Sequence, residues 1–259
     1  MRPAPKWVLV IAAAGYLFLH LPVLVLVVFS FNASRYSVSW TGFTLDWYRA
    51  LADRADLWRG LRTSLIVGTI STVAAACFGT LLAMGLARGR FRGRRSMEGL
   101  LTLPLVTPEV VTGISLLLLF VLAGIQLGLT TITIAHIAFN ISFVAVVVRA
   151  RLAGMDRSLE EAALILGADE LTAFRTVTLP ALWPGIAAGA LLAFIMSFDD
   201  YVITSLVAGP GSSTLPVMVY GMARRNVEPT INAISTIILL GTSALIYVAD
   251  RLLRTRPAR

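Results

Sequence analysis

Residues 161–180 read EAALILGADELTAFRTVTLP, a polar insert set between two long apolar runs. Ser158 followed three residues later by Glu161 has the form of a capping box, in which hydroxyl and carboxylate each satisfy a free backbone N–H at a helix start. Leu159, Ala162, Ala163 and Leu166 then recur at helical spacing and give a small apolar face. Gly167 is placed to end that helix, and Asp169 to cap a second one carrying Leu171 and Phe174. Leu179-Pro180 is expected to stop the insert before the next apolar run, because proline disfavours helix in the residue before it. Two short helices with a glycine corner make a knob, and its small alanines let another surface approach closely.

Outward from the insert, the chain is mostly apolar. Of its 259 residues 57% are hydrophobic, and the mean hydropathy is +0.82, far from a soluble domain. A membrane span needs roughly 20 apolar residues. Six such runs occur, over about 7–31, 62–87, 99–124, 129–149, 183–208 and 230–250. The reading is an all-α, polytopic membrane protein with six transmembrane helices and no room for a soluble catalytic domain. Residues 1–60 form a first helix and external loop, 61–250 a core that holds the insert at 156–180, and 251–259 a tail. The first run is too long for a cleavable signal and reads as an uncleaved anchor.

Charge orients the spans. Arg2, Lys6, Arg88, Arg90, Arg92, Arg94, Arg95, Arg149, Arg151, Arg157, Arg175, Arg251, Arg254, Arg256 and Arg259 fall on one side, 15 of the 22 basic residues. The positive-inside rule puts that side and both termini in the cytoplasm. Arg35, Arg49, Arg54, Arg59, Arg62, Arg224 and Arg225 fall outside, partly offset by Asp46, Asp53, Asp56 and Glu228. Beside a span, the Arg88–Arg95 cluster reads as a topology determinant touching anionic membrane lipid rather than a nucleic-acid site. Cys77 is alone, and His20 and His136 have no ligand-like spacing, so no metal site is expected and both histidines read as ordinary membrane-helix residues. Lys6 is the one lysine and lies in Ala-Pro-Lys-Trp, so the chain has no phosphate-binding P-loop. No nucleophile–base pair or cofactor motif is present to suggest a membrane enzyme, and no catalytic residue is expected.

The membrane core holds three acids, Glu109, Asp199 and Asp200, with no lysine, arginine or clear histidine partner at comparable depth. Charges in lipid are costly and mark a pathway or a paired site. Read as a regular helix, the fifth run places Ser197, Asp200, Tyr201 and Thr204 on one polar stripe, with Asp199 about 100° away. Asp200 is then the better pathway candidate. In the third run, Pro104, Pro108 and Gly113 predict a kinked or interrupted helix beside Glu109 and Thr112, tolerated only against protein or a water-filled cavity. Uncompensated acids fit a cationic cargo, protons or a partner subunit.

Residues 161–180 resemble the EAA loop of ABC-transporter inner-membrane permeases: Glu161-Ala162-Ala163, three residues, Gly167, nine residues, then a hydrophobic-x-Leu179-Pro180 ending. The departure is Val177, where the family has isoleucine. The resemblance implies the type 1 importer permease fold in the cell inner membrane, with Glu161, Ala162, Ala163, Gly167, Leu179 and Pro180 coupling to an ATPase. It also implies a dimer of ATPase subunits that bind the ATP, a second homologous permease and an extracytoplasmic binding protein, with no cofactor in this chain. The stretches LPLVTPEVVTGISLLLLF (103–120) and SFDDYVITSLVAGPGSSTLPVMVYGMARRNVEPTINAIST (197–236) are similar to the spermidine/putrescine branch. That likeness implies a polyamine cargo, and the pathway candidates from the acids, the stripe and the break are Glu109, Ser197, Asp199, Asp200, Tyr201 and Thr204. Polycations suit such a core: one ammonium–carboxylate pair at about 4 Å attracts by ~4 kcal/mol at an effective dielectric near 20, and an aromatic face such as Tyr201 adds about 0.5–2 kcal/mol. A permease for another solute, such as a phosphonate, an iron complex or another organic cation, remains open. So does a proton-coupled secondary transporter in which the acids relay protons, although such a transporter has no reason to carry the insert.

Overall fold

The computed structural model describes residues 5–35, 39–89, 91–225 and 229–254. Arg2, Arg90, Glu228, Arg256 and Arg259, all used in the orientation argument, lie outside the described residues. Among those described the chain is helical, and its one β-bridge joins Asn32 to Phe43. The helices are α1 (Lys6–Phe29), α2 (Asp46–Ala52), α3 (Ala55–Arg88), α4 (Arg94–Val106), α5 (Glu109–Leu122), α6 (Leu129–Ala153), α7 (Ser158–Ile165), α8 (Glu170–Ala173), α9 (Leu179–Asp199), α10 (Val202–Val207), α11 (Leu215–Arg225) and α12 (Pro229–Arg254). Five stretches are long and apolar enough to cross a membrane: α1, α3, α6, the run from Glu170 to Asp199, and most of α12. The sixth expected span is the pair α4 and α5, bent by 114° at Thr107–Pro108. Pro108 has no N–H to give the ladder and holds Thr107 extended. The interruption foreseen from the prolines is therefore present, as a sharp bend rather than a kink.

The chain divides into two compact units, residues 1–58 with 219–245, and residues 59–218 with 246–259. In the first, Asn32 organises the segment after α1. Its Nδ2 donates to the Ser39 carbonyl at 2.7 Å, its Oδ1 accepts the Thr41 N–H at 2.9 Å, and its own carbonyl accepts the Trp47 indole N–H at 2.8 Å. The second unit is built on α6 packed along α9. One apolar cluster there joins Ala75, Leu86, Val144, Val148 and Leu182. Another joins Val67, Phe120, Ile132, Phe139, Ile203 and Val207. The second cluster seats α10 against α5 and α6. Gly113 makes the closest approach, since a Cβ there would lie 2.6 Å from the Leu206 side chain and 3.4 Å from the Ile203 Cα.

Three local expectations need correction. Residues 183–208 are not one helix: α9 ends at Asp199, Asp200 is extended (φ −65°, ψ 124°), and α10 starts at Val202. Leu179-Pro180 does not stop the insert either. A π-turn over Phe174–Thr178 runs straight into α9, so the N–H that Pro180 lacks falls where the helical ladder is already disturbed. Finally, the Ser158–Glu161 capping box is absent. Ser158 is already helical, and its N–H is taken at 2.9 Å by the side chain of Asp156.

Candidate functional site

A cleft of about 260 Å³ opens where the two broken helices meet in the second unit. On one wall stand Thr107, Glu109 and Thr112, at the α4–α5 break. On the other stand Asp199, Asp200 and Tyr201, at the α9–α10 break, and Phe139 and Phe143 of α6 close the side. The structure thus brings together four of the six expected pathway residues from stretches 90 residues apart. Ser197 and Thr204 are buried in the wall behind them. No arginine or lysine lines the cleft. The C-terminal end of α9 adds a partial negative charge on the side of Asp199, so this part of the cleft is electronegative.

The two aspartates play different parts. Asp200 has only 6% of its side chain exposed and is fully engaged. Its carboxylate accepts the Thr204 N–H at 2.7 Å, the Thr204 hydroxyl at 2.7 Å and the Ile203 N–H at 3.3 Å, which caps the start of α10. The Nε2 of His136 lies 3.3 Å from it. Asp199 is exposed to the cleft, and its carboxylate is not spent on the break. The regular-helix reading, which set Asp200 on the stripe centre and Asp199 aside, fails because the helix ends between them.

The expectation that the acids lack a cationic or histidine partner is likewise corrected by His136. This side chain is fully buried on α6, with Nδ1 2.6 Å from the Ser197 hydroxyl and Nε2 2.9 Å from the Thr204 hydroxyl. Ser197 in turn meets Ser71 of α3 at 3.0 Å. A signal was present in the sequence: His136 is the one ionisable residue within the apolar run 129–148, and an intramembrane ionisable residue is a functional-site candidate by default. Among the described residues no group of histidine, cysteine and carboxylates could hold a metal.

The insert folds into the expected knob. Gly167 takes φ +92°, a left-handed conformation that ends α7, and Asp169 accepts the Thr172 N–H at 3.0 Å to cap α8. Hydrogen bonds from the Thr172 side chain and N–H hold the Asp169 carboxyl below its usual range. Glu161 and Ala162 are exposed, Ala163 is half-buried, and Ile165 and Leu166 are 85% and 88% exposed, which makes an apolar tip. Leu179 and Pro180 sit beyond the π-turn, in the first turn of α9. Glu160, one residue before the motif, fastens the knob: it pairs with Arg88 at the end of α3, whose Nη1 donates at 2.6 Å, and accepts the Thr178 hydroxyl at 3.0 Å. A cavity of about 400 Å³ lies behind this clasp, lined in part by Arg149 and Met155.

Five or six spans, two of them broken at a shared cleft, and a helical knob between spans define a multi-span membrane protein. Residues 75–257 match the family described as the binding-protein-dependent transport system inner membrane component, and the chain belongs to that family of permeases. It is 43% identical over 250 residues, 94% of this chain and 89% of the relative, to the putrescine transport system permease protein PotI of Escherichia coli K12. It is 41% identical over 240 residues, 93% and 90%, to the spermidine/putrescine transport system permease protein PotC of the same strain. Among solved structures it shares its fold with a chain from a bacterial ABC transporter involved in the import of the acidic polysaccharide alginate (TM-score 0.76, 15% identity, 96% and 95% covered). It also resembles a chain of the MetNI methionine ABC transporter (TM-score 0.64, 18% identity, 82% and 99% covered). The chain is therefore a multi-span membrane protein with the architecture of an ABC importer permease.

Proposed function

We propose that the chain is a polyamine permease subunit of an ATP-driven importer, lining the pathway for spermidine or putrescine. The observation that carries this reading is the cleft: three carboxylates at two helix breaks, a helix C-terminus, aromatic side walls and no lysine or arginine. A linear polyamine presents ammonium groups a few carbons apart. Glu109 and Asp199, on opposite walls, are suited to separate amines of one extended ligand, with Tyr201 beside them. Asp200 holds the break in shape, and Ser197 and Thr204 support it from behind. The names of the relatives at 43% and 41% identity support the same cargo.

The exposed tip of α7 and α8, with Glu161, Ala162, Ala163 and Gly167, is the docking knob for a separate ATPase, which binds the ATP. Leu179 and Pro180 carry its movement into α9. A second permease and an extracytoplasmic binding protein complete the machine, and docking of an ATPase on the knob would be consistent with the basic side and both termini facing the cytoplasm.

Uptake of radiolabelled spermidine and putrescine, with the partner subunits co-expressed and expression matched, tests the cargo. Asp199→Asn and Glu109→Gln each remove one pairing carboxylate at nearly constant shape. Each should lower uptake by about tenfold to a hundredfold, since an unpaired desolvated charge costs a few kcal/mol and each 1.4 kcal/mol is tenfold. Normal uptake by both variants would overturn the assignment.

A further inference from the structure

We infer that His136 is a positioning residue for transport: its imidazole grips both sides of the α9–α10 break and thereby fixes where Asp199 meets the cargo. The inference rests on the cleft's being the polyamine site. Three contacts carry it. Nδ1 holds Ser197, in the last turn of α9, at 2.6 Å, while Nε2 holds Thr204, in α10, at 2.9 Å and reaches Asp200, in the break itself, at 3.3 Å. The ring belongs to neither half of the broken helix. It comes from α6, which packs along α9, so the break is pegged to an uninterrupted neighbour. Its face is steadied by Phe139, 5.2 Å between ring centroids, which also lines the cleft.

Thr204 fixes the direction of one contact. The Thr204 hydroxyl gives its proton to Asp200, so toward His136 it can only accept, and Nε2 carries the ring proton. Nδ1 meets the Ser197 hydroxyl, which in turn meets the hydroxyl of Ser71 of α3, itself a donor to the Gly68 carbonyl at 3.3 Å. The peg thus ties Ser197, Thr204 and Asp200 together through one fully buried ring.

The test uses the complete transporter in proteoliposomes and reads both uptake and cargo-stimulated ATP hydrolysis. His136→Gln places an amide nitrogen near the position of Nε2 and keeps the grip on Asp200 and Thr204. His136→Asn reaches only the position of Nδ1, and His136→Leu reaches neither. The glutamine variant should keep at least a third of normal uptake. The asparagine and leucine variants should lose about tenfold or more, roughly one hydrogen bond's worth, while ATP hydrolysis continues, so cargo moved per ATP falls. Uptake in the three variants that follows side-chain volume, or uptake and hydrolysis that fall together, overturns the inference. Thr204→Val keeps the shape and removes the acceptor for Nε2, and it covers the case in which a His136 variant fails to assemble; normal uptake by Thr204→Val also overturns it. Asp199→Asn in the same assay separates the two ideas. Normal uptake there defeats the cargo site, whereas a loss there with normal His136→Asn defeats only the peg.

Discussion

The two helix breaks that face each other across the cleft are made in opposite ways. The α4–α5 break is written into the chain, because Pro108 cannot continue the ladder and Thr107 before it is forced extended. The α9–α10 break contains neither proline nor glycine, since its residues are Phe198, Asp199, Asp200 and Tyr201. It is imposed from outside, by an aspartate that caps α10 and a histidine from α6 that holds both ends. One break is local and the other tertiary, and only the tertiary one is held by side-chain hydrogen bonds from another helix.

That contrast can be broken by substitution. The largest effect is expected from Asp200→Asn, which removes the charge that His136 and both Thr204 donors serve. Uptake should fall about a hundredfold, and the purified subunit should melt at a lower temperature, because breaking a buried charge network costs about 3–5 kcal/mol. A normal melting temperature would mean that the break holds itself. A smaller effect is expected from Pro108→Ala, which restores an N–H and permits helix through the bend. Uptake should drop by about tenfold with stability unchanged or slightly raised, as relief of a proline in a helical stretch allows. A loss of stability equal to that of Asp200→Asn would erase the distinction between the two breaks. The smallest effect should come from Gly113→Ala, which sets a methyl against the end of the flexible Leu206 side chain. The α5–α10 contact links the two breaks, so uptake should fall by about threefold, while a change of tenfold or more would show that this contact is much stiffer than packing predicts.

Much of this was legible in the sequence, and what was not has physical causes. The spans follow from apolar length, and the knob follows from turn chemistry: Gly167 at positive φ and Asp169 as a cap are where the residue types demand them. The α4–α5 break follows from its prolines. Pro180 misled because the π-turn before it absorbs the missing hydrogen bond, and such turns leave no residue signature. Asp199 and Asp200 misled because helical periodicity assumes a helix, and the interruption comes from contacts 61 and 68 residues away in the chain. Glu160, the clasp to Arg88, was overshadowed by the motif residue beside it.

The separation between His136 and its partners also has a meaning in time. Ser197 leaves the ribosome 61 residues after His136, which at about 5–20 residues per second is a delay of roughly 3–12 s. During that interval α6 has already been delivered to the membrane with an imidazole and, one turn on, the Asn140 amide on its face. The newborn helix must wait in lipid, or beside the insertion machinery, with its polar groups exposed. The ring of His136 is therefore fully engaged only when the end of α9 and the start of α10 have arrived, and a chain cut short before Ser197 leaves a polar-faced α6 for membrane quality control to recognise.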